Sequence, residues 1–562
     1  MKSIYTFICL WLTYQLSFAQ SGGLAEMTKS LQGAVGNVQT ASKSYESKVQ
    51  FIEPAGIQYT FDEVDSKGNK TNYVYEFNVA DIDPYAVREQ TQKDVITVVV
   101  AVKNKQRLVK VLKNNEVQPY EEQALIHAKD IENARKISEI IKKGIPSAEK
   151  IMASRLKLAN YDAMVDWLSK NVKNVALGTK SYTQTLVKAE KPGSVRLTQI
   201  EADGKTSTEE TFTFNLADIN VNSITFKITG NKFAVNFETL QKAKFIAARK
   251  NGESRPFTND ITINTNNVDE ARDLKTVLTL VAPLAVDKVK ADMPLMNSDK
   301  DALNQLKNLT TDIAYGPKQI SQKLEASCIT VLSIVERDAK SSEKNDFKFN
   351  WMDVNLNASQ IDVTGERLYI DLKIADGKKL MMNSRNEKFN GYDNSVRLFM
   401  PDIENARRAK FAVDKAIEKC KAVYKEPFAA DVKSTTTWVM TNIKETSIDE
   451  VTVVQKLERV EEGNMNKFKF TSRQVNAKGT GSEEIFEFNL SDINPLSVEV
   501  DVKGKWLYVV METEFKGKIV KAYKDGKIQP YANKLEMAIN DVDVARNVVS
   551  ALKKAIASQK GK

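Results

Sequence analysis

Alternation of apolar and polar positions marks much of this chain as strand. Tyr73, Tyr75 and Phe77 alternate with other residues, as do Phe212 with Phe214 and Phe486 with Phe488. A period of two places such aromatics on one face of a sheet. Further strands are predicted over residues 95–102 and 506–510, with partners over 108–112 and 519–523. Turn-forming clusters begin at Ser66, Ala202 and Ala477, and again at Lys113, Lys250 and Lys524. Strands between such signals pair as hairpins, which gives roughly five to seven antiparallel strands per unit.

The period then changes. Ile137, Ile140 and Ile141, and later Val548, Leu552 and Ile556, recur at helical spacing. Asp130, Asn267, Asp402 and Asp541 stand at the matching N-cap positions, where a short acceptor satisfies a free N–H. Glu132, Asp269, Glu404 and Asp543 follow, placing negative charge at the positive end of the helix dipole. Gly144 and Pro146 predict an exit for the first of these helices. The apolar run over 277–286 reads as a buried helix despite Pro283. Other helical stretches, over 161–175, 300–313 and 431–443, read as connectors.

These elements recur. YEFNVADID, FTFNLADIN, FKFNWMDVN and FEFNLSDIN share Asn78, Asn215, Asn350 and Asn489, spaced by 137, 135 and 139 residues. Each Asn precedes by three places Asp81, Asp218, Asp353 or Asp492. Each is followed, 57 residues on in all four copies, by Arg135, Arg272, Arg407 or Arg546. A gapless interval kept four times signals a packed unit. A turn position in the same register holds Lys93, Gly230, Gly365 and Gly504. The outer copies share Pro84 with Pro495 and Gln118–Tyr120 with the same tripeptide at 529–531, which suggests an outer and an inner class.

The expected fold class is α+β. Four tandem repeats each form a small antiparallel β barrel or sandwich closed by a C-terminal amphipathic helix, with helical connectors. The boundaries drawn are 20–150, 151–292, 293–426 and 427–562, after a leader over 1–19. A small antiparallel barrel or sandwich ending in one helix resembles the pleckstrin-homology-like superfold. The phrase at Asp492 and Ile493, followed by Val498 and the strand over 506–510, is similar to the strand-turn-strand of its bacterial members. That resemblance implies a binding or scaffolding domain. The first hairpin carries only Lys67 and Lys70 in copy one and Lys205 in copy two, so the resemblance does not extend to the basic phosphoinositide signature.

Residues 1–19 read as an export signal: Lys2, a mostly apolar stretch, then Ser17-Phe18-Ala19 before Gln20. The stretch is too short to span a bilayer, which takes about 20 residues. Cys9 lies mid-run and is not expected to carry a lipid. The export signal and the junction at Ala19 are similar to those of exported Bacteroidota proteins. The expected location is therefore periplasmic or extracellular, with no transmembrane segment.

Composition narrows the chemistry. The 562 residues include 82 Lys+Arg against 73 Asp+Glu, with no block of five like charges, which argues against a nucleic-acid partner. The slight excess of base admits an anionic surface ligand or an envelope protein. Three cysteines exclude a disulfide-dense scaffold. Beyond the leader, Cys328 and Cys420 leave two outcomes, a bridge or two separate buried thiols, and the second is favoured. One His excludes a catalytic histidine common to all repeats. His127 reads as a surface or cap-adjacent residue. Trp167, Trp351, Trp438 and Trp506 fall at different registers, as packing residues would.

The recurring Asp residues read as turn formers in preference to calcium ligands. The recurring Arg of each helix is expected to pair with the Asp of its own repeat, Arg135 with Asp81 for example. No catalytic, cofactor or metal residues are assigned and no cofactor is expected. The reading is an exported, non-enzymatic binding or scaffold protein of the bacterial envelope. A lipid- or polysaccharide-binding protein comes second and a secreted hydrolase third.

Overall fold

The computed structural model describes residues 23–229, 232–461, 464–476 and 478–560. The leader, Cys9, Gly230 and Ala477 lie outside them. The chain divides into two compact units, one ending at Asp292 and the other beginning at Met293. Each holds two copies of the repeat.

The first copy sets the pattern. Helix α1 covers 23–34. Nine strands follow: β1 (Val38–Gln39), β2 (Lys43–Ile52), β3 (Gly56–Asp65), β4 (Lys70–Asn78), β5 (Arg88–Gln92), β6 (Val95–Ala101), β7 (Val109–Lys113), β8 (Glu116–Glu121) and β9 (Gln123–Ala128). Helix α2 (Ile131–Arg155) ends the copy. The strands form two antiparallel sheets, of order β1-β2-β3-β4-β7-β8 and β5-β6-β9. The same six-plus-three arrangement occurs in all four copies. The later helices are α3 (Tyr161–Asn171) and α4 (Val268–Ala291), α5 (Asp299–Leu309) and α6 (Ile403–Val423), and α7 (Val432–Asn442) and α8 (Val542–Lys560).

None of these sheets closes into a barrel. The last β segment is split: β8 pairs with β7, and β9 pairs with β6. Between them Glu122 carbonyl accepts from Val102 N–H at 2.8 Å, so the chain changes sheet without leaving its backbone unsatisfied. The strand count exceeds the sequence expectation because the two-residue β1, the short edge strand β5 and this split carry weak periodic signals.

Each phrase residue has a structural task. Phe77 is buried with Tyr75, Ile57 and Tyr59 in the core. Asn78 ends β4, and its side chain accepts from Ala80 N–H at 2.9 Å. Asn215 and Asn350 do the same for Ala217 and Met352. The Asx turn therefore belongs to the Asn, not to the Asp expected to make it. Ile82 is fully buried and bridges Val102, as Ile219, Val354 and Ile493 bridge their counterparts. The fixed 57-residue interval spans tight turns that tolerate no insertion. One holds Lys93, Gly365 and Gly504 at φ of 56°, 63° and 62°, a left-handed conformation that favours glycine.

The long helices pack on the three-stranded sheets, α2 on β5, β6 and β9. Their caps form as expected: Asp130, Asn267 and Asp402 each accept from the N–H three residues on. Asp541 accepts from Asp543 and Val544. Helix α2 does not stop at Gly144. It continues through Pro146 to Arg155. Gly144 is a close-approach point, where a Cβ would overlap Met27 of α1. Packing of buried Leu24, Met27 and Leu31 against this stretch outweighs the one backbone bond that proline removes. The stretches read as connectors also pack within a copy, α3 on α4, α5 on α6 and α7 on α8.

Cys328 and Cys420 form a disulfide, Cα atoms 5.6 Å apart, contrary to the favoured expectation of separate thiols. It ties the residue before the strand Ile329–Arg337 to the last turn of α6. Sequence separation could not reveal this, because the helix returns across the sheet only after folding.

Candidate functional site

The recurring Asp and Arg meet, but across repeats. Arg272, on α4 of the second copy, donates from Nε to Asp81 Oδ1 at 3.3 Å and from Nη2 to Asp81 Oδ2 at 2.5 Å. Its Nη1 donates to Asp269. Arg546, on α8 of the fourth copy, grips Asp353 of the third in the same two-pronged way and Asp543 through Nη1. Side-chain exposure is 9% and 13% in the first pair, 18% and 10% in the second, so both are largely dry. Burial alone would lower the Arg272 and Arg546 pKa values. The facing carboxylates overcome it and hold both above the ordinary value.

The expected pairing within a copy does not form between Arg135 and Asp81. Arg135 reaches Glu132, with both side chains well exposed. Arg407 contacts Glu404 at 3.4 Å. Asp218 is buried, and Asp492 accepts from Asn489 Nδ2 at 3.0 Å. In these two pairs copies one and three present Asp81 and Asp353, and copies two and four present Arg272 and Arg546. Copies one and three read IENAR, copies two and four VDEAR and VDVAR. The shorter Asp269 and Asp543 hold Nη1 and leave the other edge of the guanidinium for the neighbouring copy.

The rest of each seam is specific to its unit. In the second unit Asn350 Nδ2 donates to Asp543 at 2.8 Å, and Lys348 pairs with Asp541 at 3.1 Å. In the first, Tyr120 meets the Phe233 ring edge-on at 5.1 Å. Beside Asp81 and Arg272 lies a cleft of about 360 Å³. Leu108, Met152, Phe226 and Leu280 supply its apolar wall, with Lys103 and Lys275 among its polar groups.

A second recurring device escaped the sequence reading. Gln322 donates from Nε2 to Phe399 O at 3.0 Å, and its Oε1 accepts from Phe399 N–H at 2.8 Å. Gln184 clasps Asn264, and Gln455 clasps Ala538, in the same way. Each glutamine ties the large sheet to the last strand of the small one. The hairpin before the phrase varies in length, so these residues stand 31, 28 and 34 places ahead of their Asn and fall out of register.

The first copy replaces this clasp. Ser47 takes the glutamine position and His127 that of Asn264. Tyr59 fills the gap: its hydroxyl accepts from His127 N–H at 3.1 Å and lies 2.9 Å from His127 Nδ1 and 3.0 Å from Ser47 Oγ. His127 is 7% exposed, stacked on Tyr45 and edge-on to Phe61, not at the surface as expected. Burial drives its pKa down to about 4, with a weak opposing pull from Glu63.

Trp351 is fully buried and Trp438 packs on Phe428, as packing residues do. Among the described residues no cluster of three or more His, Cys, Asp or Glu is placed to hold a metal ion, and no helix is long and apolar enough to cross a membrane. No protein-family model matches the chain, and no curated protein is detectably similar to it.

Proposed function

We propose that this is an exported, non-enzymatic binding or scaffold protein of the bacterial envelope, whose working parts are locked pairs of pleckstrin-homology-like repeats. One observation carries the reading: four of the residues best suited to chemistry, Asp81 with Arg272 and Asp353 with Arg546, are spent on each other across a seam between copies. Bidentate Arg–carboxylate pairs fix geometry as well as contributing energy. The lone His is buried in an aromatic core, where it serves packing. The Cys328–Cys420 disulfide supports export, since such bonds persist in oxidising compartments. Linked copies of one module gain avidity from effective concentration, which suits attachment at a surface.

The test is affinity capture from an envelope extract with the intact chain as bait. Retained, saturable protein partners are the expected result. Turnover of ester, glycoside or peptide substrates by the purified chain would overturn the reading. The cleft beside Arg272 favours a second reading, ligand carriage, in which bound lipid or glycan co-purifies instead.

A further inference from the structure

Charged side chains line the cleft of the first unit. Three cations line it, Arg272, Lys103 and Lys275, with two carboxylates, Asp81 and Glu149. Arg272 is committed to Asp81 and Asp269, and Lys103 to Glu149 and to Ala80 O. Among the described residues no carboxylate pairs with Lys275, which lies half-buried with its ammonium 4.9 Å from the centre of the Phe226 ring. Burial lowers the Lys275 pKa, opposed chiefly by Asp81. A half-buried cation without an ion-pair partner, set among apolar side chains, is a receptor for an anion with an apolar body.

The second unit shows how the same helix face is used. Counted from Arg272 and Arg546, Thr276 corresponds to Ser550 and Leu280 to Lys554. There the chain supplies its own carboxylate: Glu426 accepts from Ser550 Oγ at 2.5 Å and pairs with Lys554. Tyr424, two residues before, bonds Asn547. In the first unit the corresponding Asp273 is taken by Arg155, at the end of a longer helix. Thr276, Lys275 and Leu280 are left lining an open cleft.

We propose that the cleft of the first unit binds a small carboxylate with an apolar body, the carboxylate on Lys275 and the body against Phe226, Leu108, Met152 and Leu280. Its volume of about 360 Å³ lies within the range of ligand sites, about 300–1,000 Å³. This names a ligand class for the ligand-carriage reading of the same cleft and does not depend on the scaffold reading.

The test is calorimetric titration of the purified chain with sodium decanoate, with decanol as the uncharged control. Saturable one-site binding of decanoate is expected, with decanol at least about tenfold weaker, the effect of one lost charge-assisted contact. Lys275→Met is expected to weaken decanoate by about tenfold or more and to leave decanol unchanged. Leu280→Glu, at an exposed position at the rim, tests the same point without touching the core. It is expected to weaken decanoate through like charge. Lys553→Met, in the second unit, is expected to change nothing. Absence of saturable decanoate binding, equal affinity for decanol, or an unaltered Lys275→Met variant would overturn the proposal.

Discussion

Arg272 and Asp81 stand 191 residues apart in the chain and join two repeats by a two-pronged, nearly dry ion pair. Arg546 and Asp353 repeat the relationship 193 residues apart in the second unit. Removing one partner of such a pair leaves the other charge buried and alone, at a cost of about 3–5 kcal/mol. Arg272→Ala is therefore expected to lower the thermal midpoint of the first unit by many degrees. Arg135→Ala, at the same register but exposed, is expected to cost about 0.5 kcal/mol or less. A double-mutant cycle with Asp81→Ala checks the assignment. Additive losses would show that the two residues do not interact.

The glutamine clasp makes a local prediction. Gln322→Leu keeps the volume but orphans the N–H and C=O of Phe399, a loss of about 1–3 kcal/mol per unsatisfied buried group. Faster hydrogen exchange at the Phe399 amide, with little change at Ile370 on the neighbouring strand, is the expected signature. Unchanged protection at Phe399 would mean that the clasp carries no weight.

His127 gives the first unit a pH dependence. Its folded pKa of about 4 lies below the unfolded value of 6.5, so the unfolded chain binds more protons between those values. The contribution is present in full above pH 6.5 and is lost as pH falls toward 4, amounting to something on the order of 3 kcal/mol. His127→Asn, which installs the residue found in the second copy, is expected to flatten the stability profile across that window. Denaturant midpoints at several pH values decide the matter. Parallel curves for the two proteins would refute it.

The disulfide acts on one unit alone. It closes a loop with a sequence separation of 92 residues. In the chain-entropy account a loop of that size is worth about 4–5 kcal/mol. Trp351, Trp438 and Trp506 all lie in the second unit, against Trp167 in the first. Reduction, or Cys420→Ala, is therefore expected to shift the tryptophan fluorescence transition to lower denaturant. A transition that ignores reductant would sink the prediction.

Much of this architecture was legible in the sequence. The Phe-Asn-x-x-Asp phrase and the Arg 57 residues after its Asn named four copies, because tight turns between them allow no insertion. Alternation at Tyr73, Tyr75 and Phe77 found the large sheet, and the caps at Asp130, Asn267 and Asp402 found the helices. These are local signals, written within one element. Which Asp each Arg would choose is a different kind of fact. Arg135 and Arg272 occupy the same register, yet one faces solvent and the other is buried against Asp81 of the preceding copy. That distinction arises only when two copies pack. The same holds for Gly144, a helix exit by local rules and a helix contact in the fold, and for His127, whose aromatic cage comes from β2, β3 and β9 together. By itself the sequence determined the repeat, its strands and its caps, through periodicity and turn chemistry. The tertiary structure decided the pairing, the clasps and the open cleft, because these depend on which surfaces exclude water from one another.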